Sequence, residues 1–304
     1  MKSLVKDIRK RWMLWLMVLP SIVYLIVFNY IPMGGVVMAF QKLDLNKGIF
    51  TSPFVGFENF KFLFASSDAW VITRNTVLYN AAFIVLKLVL SVLLAVVIHE
   101  MRSKKLAKTT QTIIIMPHFL SIVVVSTIVF AFLSPTSGFI NGVLKSHGMD
   151  TVNWYQQVPL WPFILTFVYL WMNVGYSSIM YVAVLSGISK DYYEAALIDG
   201  ATKFQQFRYI TLPQLRFIIA INMISSVGGI FRTGIGLFYT VPRQTGALFP
   251  VTQTLDTYIY NALQGTHNVG MTTAAGLYQS VVGFILVLVA NKIVSKIDND
   301  CAMF

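Results

Sequence analysis

Charge is what this 304-residue chain has least of. Only 12% of its residues are Asp, Glu, Lys or Arg, while 56% are hydrophobic and the mean hydropathy is +0.69. Soluble domains carry about 25% charged residues, so the balance excludes an ordinary soluble protein and indicates an integral membrane one. Cysteine is nearly missing, and the single Cys301 excludes an internal disulfide framework. His99, His118, His147 and His267 lack metal-ligand spacing, so no metal site is expected. There is no Gly-Lys dipeptide, hence no Walker A loop, and any ATP hydrolysis has to come from a partner. No nucleophile with a base and no His/Glu ligand set is visible, which argues against a membrane-embedded enzyme.

What is present is six long apolar runs, at about 12–33, 76–98, 112–133, 160–186, 214–238 and 272–294. Each can cross a hydrocarbon core of about 30 Å. The first follows the basic stretch MKSLVKDIRKR, exceeds a usual signal-peptide core and has no A-x-A site, so it reads as an uncleaved span. Pro117 falls early in the third run, where a proline costs least. None of the runs contains Asp or Glu, which argues against an ion-coupled secondary transporter. The net charge of +11 is not a nucleic-acid signature, because of where the cations sit. Segments 1–11, 99–111, 187–216 and 291–304 hold fifteen Lys and Arg, against five in 41–73, 134–159 and 239–271. The positive-inside rule puts both termini and the 187–216 loop in the cytoplasm. Residues 41–73 are expected to form short elements at the outer surface, and 239–271 an outer loop.

Between the fourth and fifth runs lies a polar island, EAALIDGATKFQQFRYITLP, from Glu194 to Pro213. Asp191 reads as an N-cap with Glu194 completing a capping box. Gly200 suits a left-handed helix end, and a second amphipathic piece over Lys203–Ile210 leads to Pro213 at the start of a long helix. The pattern E-A-A, three residues, G, nine residues, I, one residue, L-P is filled by Glu194, Ala195, Ala196, Gly200, Ile210, Leu212 and Pro213. It resembles the EAA loop of ABC-importer permease subunits. The resemblance implies an all-α membrane protein of six transmembrane helices, residues 1–304 forming one transmembrane domain. It also implies that the loop at 190–212 is a coupling helix seated in a groove of a separate cytoplasmic ATPase. Small alanines there permit close approach, and Glu194 and Asp199 can meet basic groups.

Further stretches narrow the likeness. Met116-Pro-His-Phe-Leu-Ser121, Phe231-Arg-Thr-Gly-Ile-Gly-Leu-Phe-Tyr239, Val241-Pro-Arg243, Asp256-Thr-Tyr258 and the Lys296-Ile-Asp298 ending with its terminal Ala-Met-Phe look like LplB-type carbohydrate permeases of the maltose-transporter superfamily. Gly234 departs from the pattern, since the resemblance implies an acidic residue there. The resemblance implies a second, homologous permease, an ATPase dimer that carries the ATP and Mg, and an external sugar-binding protein meeting the 239–271 loop. It implies no cofactor in this chain. The cell membrane of a bacterium is the implied location and oligosaccharide the implied cargo; a non-sugar solute is the alternative.

Sugars are held by hydrogen bonds and by aromatic faces. Tyr169, Asn173 and Tyr176 share one helical face in the fourth run and can line a pathway or pack on a partner. Gly228 and Gly229 can break the fifth run beside a binding site or allow close helix packing. Arg232, near the outer end of that run, can snorkel or contact sugar. Lys87, in the middle of the second run, either faces the pathway or pairs with a partner's carboxylate. Trp154, Tyr155 and Trp161 suit an interfacial belt. Glu100 with Arg102, Lys104, Lys105 and Lys108 reads as a solvated face near lipid phosphates.

Overall fold

The computed structural model describes residues 10–44, 47–49, 51–61, 67–265, 268–297 and 302. The basic residues 1–9, His267, Asp298, Cys301 and the final Met303 and Phe304 lie outside the described residues. Among those described the chain is helical, and the one extended pairing is an isolated bridge between Gln41 and Phe54. Among the described residues five helices are long and apolar enough to cross a membrane: α1 (Trp12–Phe40), α2 (Ser67–Glu100), α6 (Val158–Ser186), α8 (Lys203–Gly228) and α11 (Val269–Ile297). A sixth span is formed if α3 (Lys104–Phe119) and α4 (Ile122–Leu133) are one element, although they meet at 97°. Shorter helices are α5 (Phe139–Ser146), α7 (Lys190–Ile198), α9 (Ile235–Thr240) and α10 (Leu255–Gly265).

The chain divides into two compact units, 1–65 with 262–278, and 66–261 with 279–304. In the first, the Asn59 side chain donates to the carbonyls of Ala39 and Gln41 at 3.0 and 2.9 Å. Phe40 sits among Phe54, Phe57 and Phe60. A Cβ on Gly270 would lie 2.8 Å from the Gln41 carbonyl oxygen, a backbone atom that leaves α11 room for glycine there. In the second unit α2 and α6 run against each other, with the Ser91 hydroxyl donating to the Val174 carbonyl at 3.1 Å. Gly175 is where α3 presses on α6: an added Cβ would lie 2.1 Å from the Ile114 carbonyl oxygen.

Two apolar clusters hold the second unit. One contains Val92, Ala95, Tyr181, Leu185 and Leu215, with Ile188 and Phe207 packed on it. The other contains Tyr79, Phe83, Val125, Leu165, Phe238 and Val241. Tyr155 and Trp161 belong to this second cluster, 7% and 0% exposed with ring centroids 5.0 Å apart. They are therefore core groups rather than the interfacial belt their composition suggested. Trp154 donates its indole N–H to Asn141. Burial raises the Tyr155 hydroxyl above the usual phenol range, with the nearby Arg243 cation pulling the other way.

Several expected boundaries move. The third run is not a straight span: α3 ends in a tight turn over Met116–Phe119 that begins beside Pro117, and Ser121 then caps α4 by accepting from the Val123 N–H. Pro117 thus stands at a sharp break rather than harmlessly inside a helix. The second helix begins at Ser67, well before residue 76. The fifth span starts at Lys203 and stops at Gly228, so Arg232 lies beyond it in non-helical chain. Pro213 does not start a new helix; α8 passes through it by widening. Over Phe207–Thr211 the helix takes a π turn, with the Leu212 N–H reaching the Phe207 carbonyl five residues back. The same device, Ile26–Tyr30, precedes Pro32 in α1. A proline ring crowds the carbonyl four residues earlier and offers it no donor, which the wider turn accommodates.

Candidate functional site

The first candidate is the elbow between α6 and α8. Its helix α7 is capped by Ser189, whose hydroxyl accepts from the Asp191 N–H at 3.3 Å. The cap is therefore two residues earlier than the Asp191 and Glu194 box expected from the sequence. A serine in extended backbone closes the first turn, and Asp191 falls inside it, where its charge favours the helix dipole. α7 ends as expected at Gly200, φ +77°. The Ala201 N–H reaches the Ala196 carbonyl at 2.9 Å, and the Gly200 N–H reaches Leu197 at 3.1 Å. These are the paired bonds of a Schellman end, which needs the left-handed residue. Thr202 and Gln205 then form a reciprocal capping box that starts α8.

Three contacts fasten this elbow. Tyr193 and Thr211 share a hydroxyl hydrogen bond at 3.0 Å, Phe207 packs on the cluster of Val92, Ala95, Tyr181, Leu185 and Leu215, and Lys203 lies 3.4 Å from Glu100 at the end of α2. The sequence placed Glu100 on a solvated face and missed this pair, whose members lie far apart in the chain. Ala196 and Ile210 are half-buried, whereas Glu194, Ala195, Asp199, Gly200, Leu212 and Pro213 are exposed. Around them stand apolar side chains with no cover: Leu197 is 68% exposed, Ile198 87% and Phe204 68%. Stranded apolar groups of this size on a polar turn mark an interaction surface.

The second candidate is a cavity of about 180 Å³ between α2, α6 and α8, lined by Lys87, Ser91, Tyr176, Ser177, Asn222 and Ser226 among others. The stripe Tyr169, Asn173, Tyr176 does not act as a unit. Tyr176 reaches this cavity and stacks on His118 at 4.1 Å. Tyr169 stacks on Phe83 at 3.8 Å, and Asn173 donates back to the Tyr169 carbonyl. Gly228, Gly229 and Arg232 line a further opening with Gln279 and Ser280, and Arg232 donates to the Ser280 hydroxyl at 3.0 Å. Gly228 both ends α8 and allows close packing: a Cβ there would lie 2.4 Å from Val287.

Beside that opening Asp256 organises the junction. Its carboxylate accepts from the N–H groups of Thr233 and Gly234 at 2.6 and 2.9 Å, from the Thr233 hydroxyl at 3.1 Å and from the Gln279 amide at 2.8 Å. Gly234 itself has φ +73°, a conformation that an acidic side chain would strain. The negative charge of this turn comes from Asp256 instead. Asp256 was visible in the sequence only as part of a short motif.

Residues 87–299 match the family described as binding-protein-dependent transport system inner membrane component. The chain belongs to this family. Its transport-component relatives include the polygalacturonan/rhamnogalacturonan transport system permease protein YteP of Bacillus subtilis, 31% identical over 98% of this chain and 92% of that one. Protein LplB of the same organism is 31% identical over 96% and 91%. Among solved structures, a bacterial ABC transporter involved in the import of the acidic polysaccharide alginate aligns with TM-score 0.87 and 34% identity, covering 97% of this chain and 99% of that one. The bacterial alginate transporter in complex with an alginate pentasaccharide-bound periplasmic protein aligns with TM-score 0.86 and 32% identity, covering 96% and 97%. This chain is thus a multi-pass membrane component of a transport system.

Proposed function

We propose that this chain is the permease subunit of an ATP-driven importer that moves oligosaccharides, delivered by an external binding protein, through a membrane by alternating access. The observation that carries the reading is the elbow: a rigidly capped turn whose apolar side chains Leu197, Ile198 and Phe204 are left uncovered beside Glu194 and Asp199. A cytoplasmic ATPase is the partner it fits, with ATP and Mg held on that partner. Small Ala195 and Ala196 let a groove approach α7 closely. Closure of the ATPase dimer pushes on α7, and Phe207 and the Tyr193–Thr211 bond carry the push into α8.

In this reading residues 1–304 form one transmembrane domain with both termini and the 190–212 elbow cytoplasmic, and 239–271 facing the binding protein. A second, homologous permease completes the pathway. Cargo names among the relatives, polygalacturonan, rhamnogalacturonan and alginate, support a saccharide over another solute. Tyr176, Ser177, Asn222 and Ser226 offer an aromatic face and neutral hydrogen-bonding groups, as sugar hydroxyls need. Tyr169, already stacked on Phe83, supports the pathway from behind. Gly228, Gly229 and Arg232 form the upper opening.

Purification in mild detergent with the co-encoded proteins tests this. The wild type brings down a second permease and an ATPase, and Gly200→Asp loses the ATPase. Failure of the wild type to recover any ATPase in several detergents would overturn the coupling role.

A further inference from the structure

Lys87 sits where a lysine is costly. About 13 residues of α2 separate it from Glu100 and more from Ser67, so ~20 Å of helix lie between it and the nearer end. That is beyond the reach of a snorkelling side chain. The side chain is half-buried and lines the cavity between α2, α6 and α8. Among the described residues its ammonium group has no ion pair and no hydrogen bond. Residues 69–99, 158–186 and 203–228 of the three helices around the cavity contain no Asp or Glu. The other polar lining groups, Ser91, Tyr176, Ser177, Tyr181, Asn222 and Ser226, are neutral. Neutral groups suffice for sugar hydroxyls. A lysine among them has a cost in a membrane interior that an anion offsets most strongly, through a charge-assisted hydrogen bond.

We infer that Lys87 makes this permease selective for acidic oligosaccharides, its ammonium group holding a uronate carboxylate as the chain passes Tyr176, Asn222 and Ser226. The inference rests on the importer reading and adds the charge class of the cargo. The cavity, about 180 Å³, is smaller than pockets that enclose a drug-sized ligand (~300–1,000 Å³). One charged ring is therefore held at a time while its neighbours stay outside. A single contact of this kind slows passage without trapping the cargo, as translocation requires.

The test is uptake by the assembled importer in proteoliposomes, comprising this chain, the second permease, the ATPase and the binding protein. The probe is a mixture of oligogalacturonates, oligomannuronates and neutral malto-, manno- and galacto-oligosaccharides, with captured sugars read by mass spectrometry. Acidic members enter with ATP, Lys87→Gln lowers their entry at least tenfold, the scale of a lost charge-assisted bond, and Lys87→Arg retains most of it. Entry of neutral members alone overturns the charge class and leaves the importer reading standing. No ATP-dependent entry of any sugar, with ATPase bound and active, overturns the importer reading itself. Unchanged uronate entry in Lys87→Gln removes Lys87 as the reader. Loss of the second permease from that variant assigns Lys87 to an ion pair between subunits and overturns the inference.

Discussion

The elbow at 189–213 and the junction at 229–256 both interrupt apolar helices at glycine, yet they are held in opposite ways. At the elbow most of the bonds that shape the turn are local: Ser189 to Asp191, Ala201 to Ala196, Thr202 to Gln205, and the Gln206 amide to Ala201; Tyr193 to Thr211 and Lys203 to Glu100 fasten it from outside. At the junction they are distant. Asp256 reaches back to Thr233 and Gly234, Gln279 reaches the Phe231 carbonyl at 2.7 Å, Asn80 reaches Ile230, and Asn75 reaches Pro250 and Gln253. A turn built from local bonds keeps its shape while its outer side chains stay free for another protein. A turn built from distant bonds ties helices together and stays only while they do.

The difference predicts a graded series. Asp256→Ala leaves two backbone N–H groups without their acceptor and takes one of two from the Gln279 amide. It should cost about 3 kcal/mol, since bonds to charged groups are worth roughly 1.5–3 kcal/mol each and do not add fully. The thermal midpoint of the purified complex should fall accordingly, and an unchanged midpoint would show that Asp256 is not what holds the junction. Gly200→Ala meets no atom within 4 Å, so its cost is conformational alone. About 1–2 kcal/mol is expected from placing a Cβ in the left-handed region, and ATPase recovery should drop in step. If ATPase recovery is unaffected, the Schellman end is not what positions the elbow.

Smaller effects separate anchoring from recognition. Lys203 and Glu100 are 73% and 46% exposed, so Glu100→Ala should change stability by no more than about 0.5 kcal/mol. A larger, salt-sensitive loss would make the pair a true anchor. Ile198→Asp, at a side chain 87% exposed, should leave stability within about 0.5 kcal/mol while abolishing ATPase recovery. Retained ATPase would place the partner's groove elsewhere on the elbow.

The elbow was legible because its main determinant is local, Gly200 at the corner; Pro213 misled, since the helix widens and passes through it. Its cap was misjudged by two residues, since Ser189 and Asp191 are both competent caps and only backbone geometry chose between them. The junction was not legible, because nothing near Asp256 announces that Thr233 and Gln279 will meet it. The 97° break between α3 and α4 was hidden for a different reason. Hydropathy measures whether a segment is apolar and is blind to its direction, so Met116–Leu133 reads as continuous although Ser121 starts a new helix.

The sequence by itself determined the number of the apolar segments, the helical class, the helix corner at Gly200 and the isolation of Lys87 from any acid in its own run. Those follow from bilayer thickness, from backbone hydrogen bonding within short range, and from composition. Only the tertiary structure decided that Tyr169 is spent on Phe83 while Tyr176 reaches a cavity, that Arg232 lies outside the helix, and that Lys87 faces neutral polar groups on two other helices. Which faces of three helices meet depends on packing at positions such as Gly175, where the Ile114 carbonyl leaves no room for a side chain, and no periodicity within one helix encodes that.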